Sequence, residues 1–286
     1  MQYWRTNRQK KGVVWCFRRS PSRPIQSFVA VRARRTAHSL KAKQKRAMTP
    51  RVEWFFGRGL SIGCGLTWTV PAAWYALPRA DQIARIKAAI LSEMSAQHID
   101  TNDIRYFLDL LTNHTVAPWQ HQFHTTNWDY LLQREILSLG HTVQPPWCAE
   151  THVYHWNGTV EELPDNSRRS MFVLESDPPN ARVATTEGNI AYNKFIWSQT
   201  FVVVGMSFEC DIDKYLLSAL QRVEDDLPIG ESYWIVVNPS VDALSASCAR
   251  LKAALPRAKI VSNATAFGAW LRARVPELES RGAIAF

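Results

Sequence analysis

Apolar positions follow two rhythms along the chain: short continuous runs, and stretches where they return every third or fourth residue. The run Val52–Phe56 predicts a buried strand that breaks into Gly57-Arg58-Gly59-Leu60-Ser61 and Gly63-Cys64-Gly65, a turn needing backbone freedom. Trp68–Pro78, rich in aromatics and proline, reads as an ordered loop over a pocket. Ile83, Ile86, Ile90 and Met94 predict a helix over Ala80–Gln97. A second helix opens near Thr101-Asn102, a good cap, and buries Ile104, Phe107, Leu108 and Leu111; Pro118 closes this helical insert of residues 80–118. His121–Thr126 is the next strand, running into Asn127-Trp128-Asp129 and a helix, Tyr130–Leu139, stopped by Gly140. Thr151–Trp156 predicts a strand ending at Asn157-Gly158, and the turn-rich Glu161–Pro179 follows, with one apolar run at Met171–Leu174.

The last third is more regular. Phe201–Val204 ends in Gly205-Met206-Ser207 and is followed by a helix over Ile212–Val223. Tyr233–Val237 ends in Asn238-Pro239 before a helix over Val241–Leu251. Lys259–Val261 is a short last strand, and a helix near Ala266–Arg274 buries Phe267, Trp270 and Leu271. Strands alternating with helices predict an α/β fold, Rossmann-like and doubly wound, with a mostly parallel sheet covered on both faces. In such a sheet the glycine loop, Asn127/Asp129, Gly205/Ser207 and Asn238 fall on one edge, at the carboxyl ends of the strands where ligands bind.

Charge alters this picture at one end only. Residues 1–48 hold 14 of the 34 Lys and Arg and none of the 25 Asp and Glu, leaving 20 basic against 25 acidic residues in the body. The basic stretch is read as a disordered tail or an over-extended start ahead of a domain over 49–286; nucleic-acid binding through phosphates and an Arg-rich presequence are the alternatives. Five scattered cysteines without a C-x-x-C pair fit neither a disulfide framework nor a four-cysteine zinc ribbon, and point to a reducing cytoplasm. His121/His124 and His152/His155 lack further ligands at suitable spacing, so no metal site is expected. No apolar run reaches the roughly 20 residues of a membrane span.

Taken in order, these motifs resemble a sirtuin-like, NAD-binding domain of the bacterial branch associated with NAD-degrading immune proteins. Gly57-Arg58-Gly59-Leu60-Ser61 with Gly65 is similar to its G-A-G-x-S…G loop, and Thr126-Asn127-Trp128-Asp129 to its Q/T-N-x-D. Asn157-Gly158 stands where the family has His-Gly, Gly205-Met206-Ser207 matches its G-x-S, and Val237-Asn238 its strand-end Asn. The resemblance implies NAD as ligand or substrate. It places the pyrophosphate on the Gly57–Gly65 loop, the adenosine ribose on Ser207 and Asn238, and the nicotinamide carboxamide on Asp129. Asn127 would orient the nicotinamide ribose or an attacking water.

The implied activity is an NAD glycohydrolase, an antiphage effector triggered by a sensor protein or by self-assembly. Lacking the zinc module, the chain does not fit lysine deacetylation. Two departures qualify this. Asn157 replaces the catalytic histidine, which leaves His155 or His124 as substitutes, or else a catalytically weak NAD or ADP-ribose sensor. Arg58 replaces a small residue and is free to pair with a phosphate or to point to solvent. Without the resemblance, Asn127 reads as a helix cap, Ser207 and Asn238 as turn residues, and Trp54, Phe55, Phe56, Trp68 and Trp74 as core.

Overall fold

A computed structural model of the chain describes residues 51–95, 98–113, 120–138, 153–160, 172–174, 177, 198, 200–210, 213, 216–218, 220–221 and 232–281. The chain divides into two units, Met1–Met48 and Thr49–Phe286, and every described residue belongs to the second. The basic stretch 1–48, Pro118, Gly140, the start of the strand expected at Thr151, His152 and most of 161–179 lie outside the described residues, as does much of the helix expected over 212–223.

Six strands form one sheet: β1 (Arg51–Phe56), β2 (Gln120–Thr125), β3 (Tyr154–His155), β4 (Thr200–Val204), β5 (Tyr233–Val237) and β6 (Lys259–Asn263). Their spatial order is β3-β2-β1-β4-β5-β6 and all five pairings are parallel, with Trp54 beside Phe123 on one side and Val202 on the other. This is the doubly wound arrangement expected from the alternating pattern, and its order reverses between β1 and β4.

Strand β1 is buried on both faces, as its unbroken apolar run requires. Val52, Trp54 and Phe56 join the core cluster built with α2 (Arg79–Met94), α3 (Asn102–Asn113) and α6 (Phe267–Arg281), through Ile86, Ile90, Ile104, Phe107 and Trp270. Phe55 faces the other cluster, with Phe201, Val203, Trp234 and the Leu244 and Leu251 of α5 (Val241–Ala254). Glu53 shares that second face, fully buried; it is held by His124 Nε2 at 2.7 Å and by the Ser198 hydroxyl, which donates at 2.5 Å. A carboxylate is tolerated at such a depth because both oxygens are engaged.

The stretch after β1 differs from the expected turn. Arg58–Gly63 is a short helix, α1, which turns Leu60 and Ser61 inward. Its glycines serve close packing more than backbone freedom. A Cβ on Gly57 would stand 2.6 Å from the Met206 backbone, and one on Gly59 2.6 Å from Gly205 Cα. Gly205 itself sits at φ +60° and has the same relation to Gly59 and Leu60. The loops after β1 and β4 thus touch backbone to backbone, which only glycine permits.

Candidate functional site

The crossing of these two loops stands at the switch point of the sheet, at the carboxyl ends of β1 and β4. It is sealed by Gly57 N–H donating to Val204 O at 2.9 Å and Gly59 N–H donating to Gly205 O at 2.7 Å. Two of the amides in the expected phosphate-binding loop are therefore spent, one on the end of β4 and one on the loop that follows it. Two cavities share Gly59 and Gly205 as a wall. The larger, about 500 Å³, is lined by Arg58, Asn127, Ser207 and Asn238, together with Trp68, Thr126, Glu209 and Asp213. The smaller, about 280 Å³, lies against α3 and α6, with Asp100, Asp103, Phe267 and Arg272 in its wall.

Six of the residues singled out in the sequence meet at the larger cavity: Arg58, Gly59, Asn127, Gly205, Ser207 and Asn238. The others stand behind it. Ser61, on the inner face of α1, and Asp129 are both buried, with the Ser61 hydroxyl donating to Asp129 Oδ2 at 2.7 Å and Leu131 N–H donating to Oδ1 at 3.2 Å. Asp129 is absent from the lining of either cavity, and its second contact makes it the first-turn anchor of α4 (Leu131–Ser138). Asn157 is buried and its Nδ2 donates to Thr126 O at 2.7 Å, so it braces the Asn127 loop from behind. His155, paired in register with Thr125 on the outermost strand, is buried and lines neither cavity. Gly65 closes α1 at φ +96°, its N–H donating to Ile62 O at 2.9 Å.

Asn127 is fixed by chemistry as well as by shape. Its Nδ2 donates to Gly57 O at 3.0 Å and to Ser61 Oγ at 2.8 Å, and its own N–H is accepted by Thr125 Oγ1 at 3.0 Å. A backbone carbonyl only accepts, so the amide nitrogen must face inward and Oδ1 is the atom left to meet a ligand. Hydrogen bonds then run one way, from the Asn127 amide to the Ser61 hydroxyl to the Asp129 carboxylate. Burial raises the Asp129 carboxyl above its ordinary range; the Ser61 bond, the Leu131 amide and the Arg58 charge pull it back down.

Arg58 and Trp68 form the outer wall. The guanidinium carbon lies 4.8 Å from the Trp68 ring centroid and Nη2 donates to the Trp68 carbonyl. Trp68 in turn meets Trp128 at 5.8 Å, and Trp128 stacks on Phe172 at 4.9 Å. Trp54, Phe55 and Phe56 are core, as the sequence suggested, whereas Trp68 belongs to the cavity. Ser207 offers its carbonyl to Arg250 Nη1 at 2.8 Å, and Asn238 Oδ1 accepts the Ser240 amide at 3.0 Å, the turn role its residue type favours. Glu209 and Asp213 escaped the sequence reading; their position just beyond Gly205-Met206-Ser207 was the available signal.

Two tempting groups take no part. His121 accepts from Trp54 Nε1 at 3.0 Å on one face of β2, while His124 meets Glu53 on the other. Cys64, in the smaller cavity, is pushed up to about 12 by burial and by the charge of Asp129, Asp100, Asp103 and Glu135, which keeps it a thiol. Among the described residues no three His, Cys, Asp or Glu gather to hold a metal, and no helix is long and apolar enough to cross a membrane.

The fold and site together describe a doubly wound α/β domain with its cavity at the switch point. No family model and no curated protein matches the chain. Solved structures do. One, from work on the mechanism and regulation of Sir2 enzymes, is 14% identical with a TM-score of 0.48, over 84% of this chain and 97% of that one. A Sir2 complex with the inhibitor EX-527, 2'-O-acetyl-ADP-ribose and a deacetylated p53 peptide is 13% identical with a TM-score of 0.48, over 84% and 98%. A Sir2–p53 peptide–NAD+ complex is 13% identical with a TM-score of 0.46, over 84% and 97%.

Proposed function

We propose that the larger cavity binds NAD and that the protein is an NAD glycohydrolase. The observation that carries this reading is the one-way chain from Asn127 through Ser61 to Asp129, which fixes an amide oxygen at the cavity wall beside the glycine crossing. The diphosphate lies against Arg58 and Gly59, the part of the Gly57–Gly65 stretch that lines the cavity together with Ile62, with the adenosine ribose against Ser207 and Asn238 and the nicotinamide ribose beside Asn127. The C1'–N bond breaks with its electron pair going to the pyridine nitrogen, so nicotinamide leaves neutral. Water held by Asn127 Oδ1 adds to the oxocarbenium-like carbon and gives its proton to solvent. With so good a leaving group, positioning and charge stabilisation outweigh base strength. Asp129 is a positioning residue that acts through Ser61, and Asn157 acts through Thr126.

Asn127→Ala is expected to lower nicotinamide release about a hundredfold or more, the scale of losing one oriented polar contact in a transition state. Release measured by chromatography at wild-type rate in a folded Asn127→Ala variant would remove the amide from the mechanism.

Asn157 favours a second reading, an NAD or ADP-ribose sensor that binds without cleaving. It stands where the resembled family has its base, and it is buried on the Thr126 carbonyl. Asn157→His separates the two. A large gain in turnover marks a disarmed active site; bound NAD with no release from either form favours the sensor. On the glycohydrolase reading, a sensor protein or self-assembly releases the activity, and it serves defence against phage in the cytoplasm. NAD held at its resting level in infected cells that express the chain would contradict that role.

A further inference from the structure

We propose that Arg58 and Trp68 form a latch that selects ligands carrying a diphosphate. The inference rests on the larger cavity binding a nucleotide. Arg58 is the only Lys or Arg among the described residues that line this cavity, and it stands between the glycines of the crossing. Its guanidinium is parked on the cavity's own wall, over the Trp68 ring at 4.8 Å and bonded to the Trp68 carbonyl. Trp68 packs against Trp128, which is itself stacked on Phe172, so the ring has aromatic support that the exposed arginine lacks, and the arginine is the partner taken to move. Arg58 is exposed, and its hold on Trp68 is of the weak, solvated kind.

A diphosphate offers the guanidinium paired anionic oxygens, a stronger partner than a ring face and one carbonyl. Binding such a ligand draws Arg58 off Trp68, whereas a nucleoside without phosphate brings no paired anionic oxygens to compete with the ring and the carbonyl. The latch sets a threshold: drawing Arg58 away gives up the carbonyl bond and the ring contact, and loss of the exposed ring contact alone lowers affinity about two- to fivefold, which only a phosphate-bearing ligand recovers.

The test is calorimetric titration of ADP-ribose, and of adenosine as the phosphate-free control, into the full chain and its Trp68→Leu, Arg58→Ala and double variants. ADP-ribose is expected to bind Trp68→Leu about two- to fivefold more tightly than wild type. The gain should vanish in the Arg58→Ala background, where ADP-ribose binding is weaker than wild type, and adenosine should distinguish none of the four. Trp68→Phe, which keeps a ring in place, serves if Trp68→Leu does not fold; a smaller gain in the same direction is expected. Weaker or unchanged ADP-ribose binding by the folded Trp68 variant would overturn the latch alone, making Trp68 a ligand platform or a bystander. A gain that persists without Arg58 would also overturn it. Wild-type protein that binds no ADP-ribose would overturn both the latch and the nucleotide site beneath it.

Discussion

At the scale of single residues, the buried polar groups make the stability of this domain depend on pH in two opposed ways. His121 is driven down to about 3 by burial, so the folded state holds it neutral. Its contribution is present above the ordinary histidine value and is lost as pH falls below about 6.5, at about 1.4 kcal/mol per pH unit while only the unfolded chain takes up the proton. Asp129 runs the other way. Its folded value is raised, so its contribution is full below the ordinary carboxylate value and fades as pH rises through the raised one. Urea unfolding between pH 4 and 7 is expected to show the acid-side slope lessened in His121→Phe and the Asp129 dependence abolished in Asp129→Asn. Unchanged profiles would mean that neither group titrates as its burial dictates. Ser61→Ala removes the hydrogen bond that lowers the Asp129 value and is expected to cost about 1–3 kcal/mol, since it strips a partner from a buried carboxylate.

At the scale of elements, the crossing of the loops after β1 and β4 offers a paired test in which one substitution has opposite signs. Gly205→Ala places a methyl 2.7 Å from Gly59 Cα at a φ of +60°, and is expected to cost roughly 2–5 kcal/mol and to part the cavity walls. A Cβ on Gly63, at the end of α1, meets nothing within 4 Å, so Gly63→Ala is expected to stabilise by up to about 1 kcal/mol. Denaturant midpoints measured side by side decide it; equal shifts would mean the crossing is looser than its contacts indicate.

The same elements show what the sequence could and could not reveal. Strands β1, β4 and β5 and helices α2, α3, α4 and α5 stand within a few residues of their expected places, because each has a clear period and a polar or glycine stop. Helix α1 was hidden, since three glycines over Gly57–Gly63 signal a turn while the packing of Leu60 and Cys64 makes a helix. The bonds joining Ser61 to Asp129 and Asn127 span 68 and 66 positions, a pairing set by strand order and invisible to any local pattern. That is why Asp129 reads as a ligand contact in the sequence and stands behind the wall in the fold.

At the scale of the whole molecule, the parallel sheet gathers residues from the ends of β1, β2, β4 and β5 around one cavity, the one proposed to take NAD. The basic residues 1–48 form a separate unit, and deleting them is expected to leave the thermal unfolding of the domain unchanged. A fall in melting temperature would tie the tail to the fold. The most direct measurement is a calorimetric titration of NAD into the full chain, followed by chromatography of the same mixture for free nicotinamide. Saturable binding with nicotinamide released is the expected result. An absence of binding would contradict NAD as the ligand and leave the glycine crossing as architecture alone.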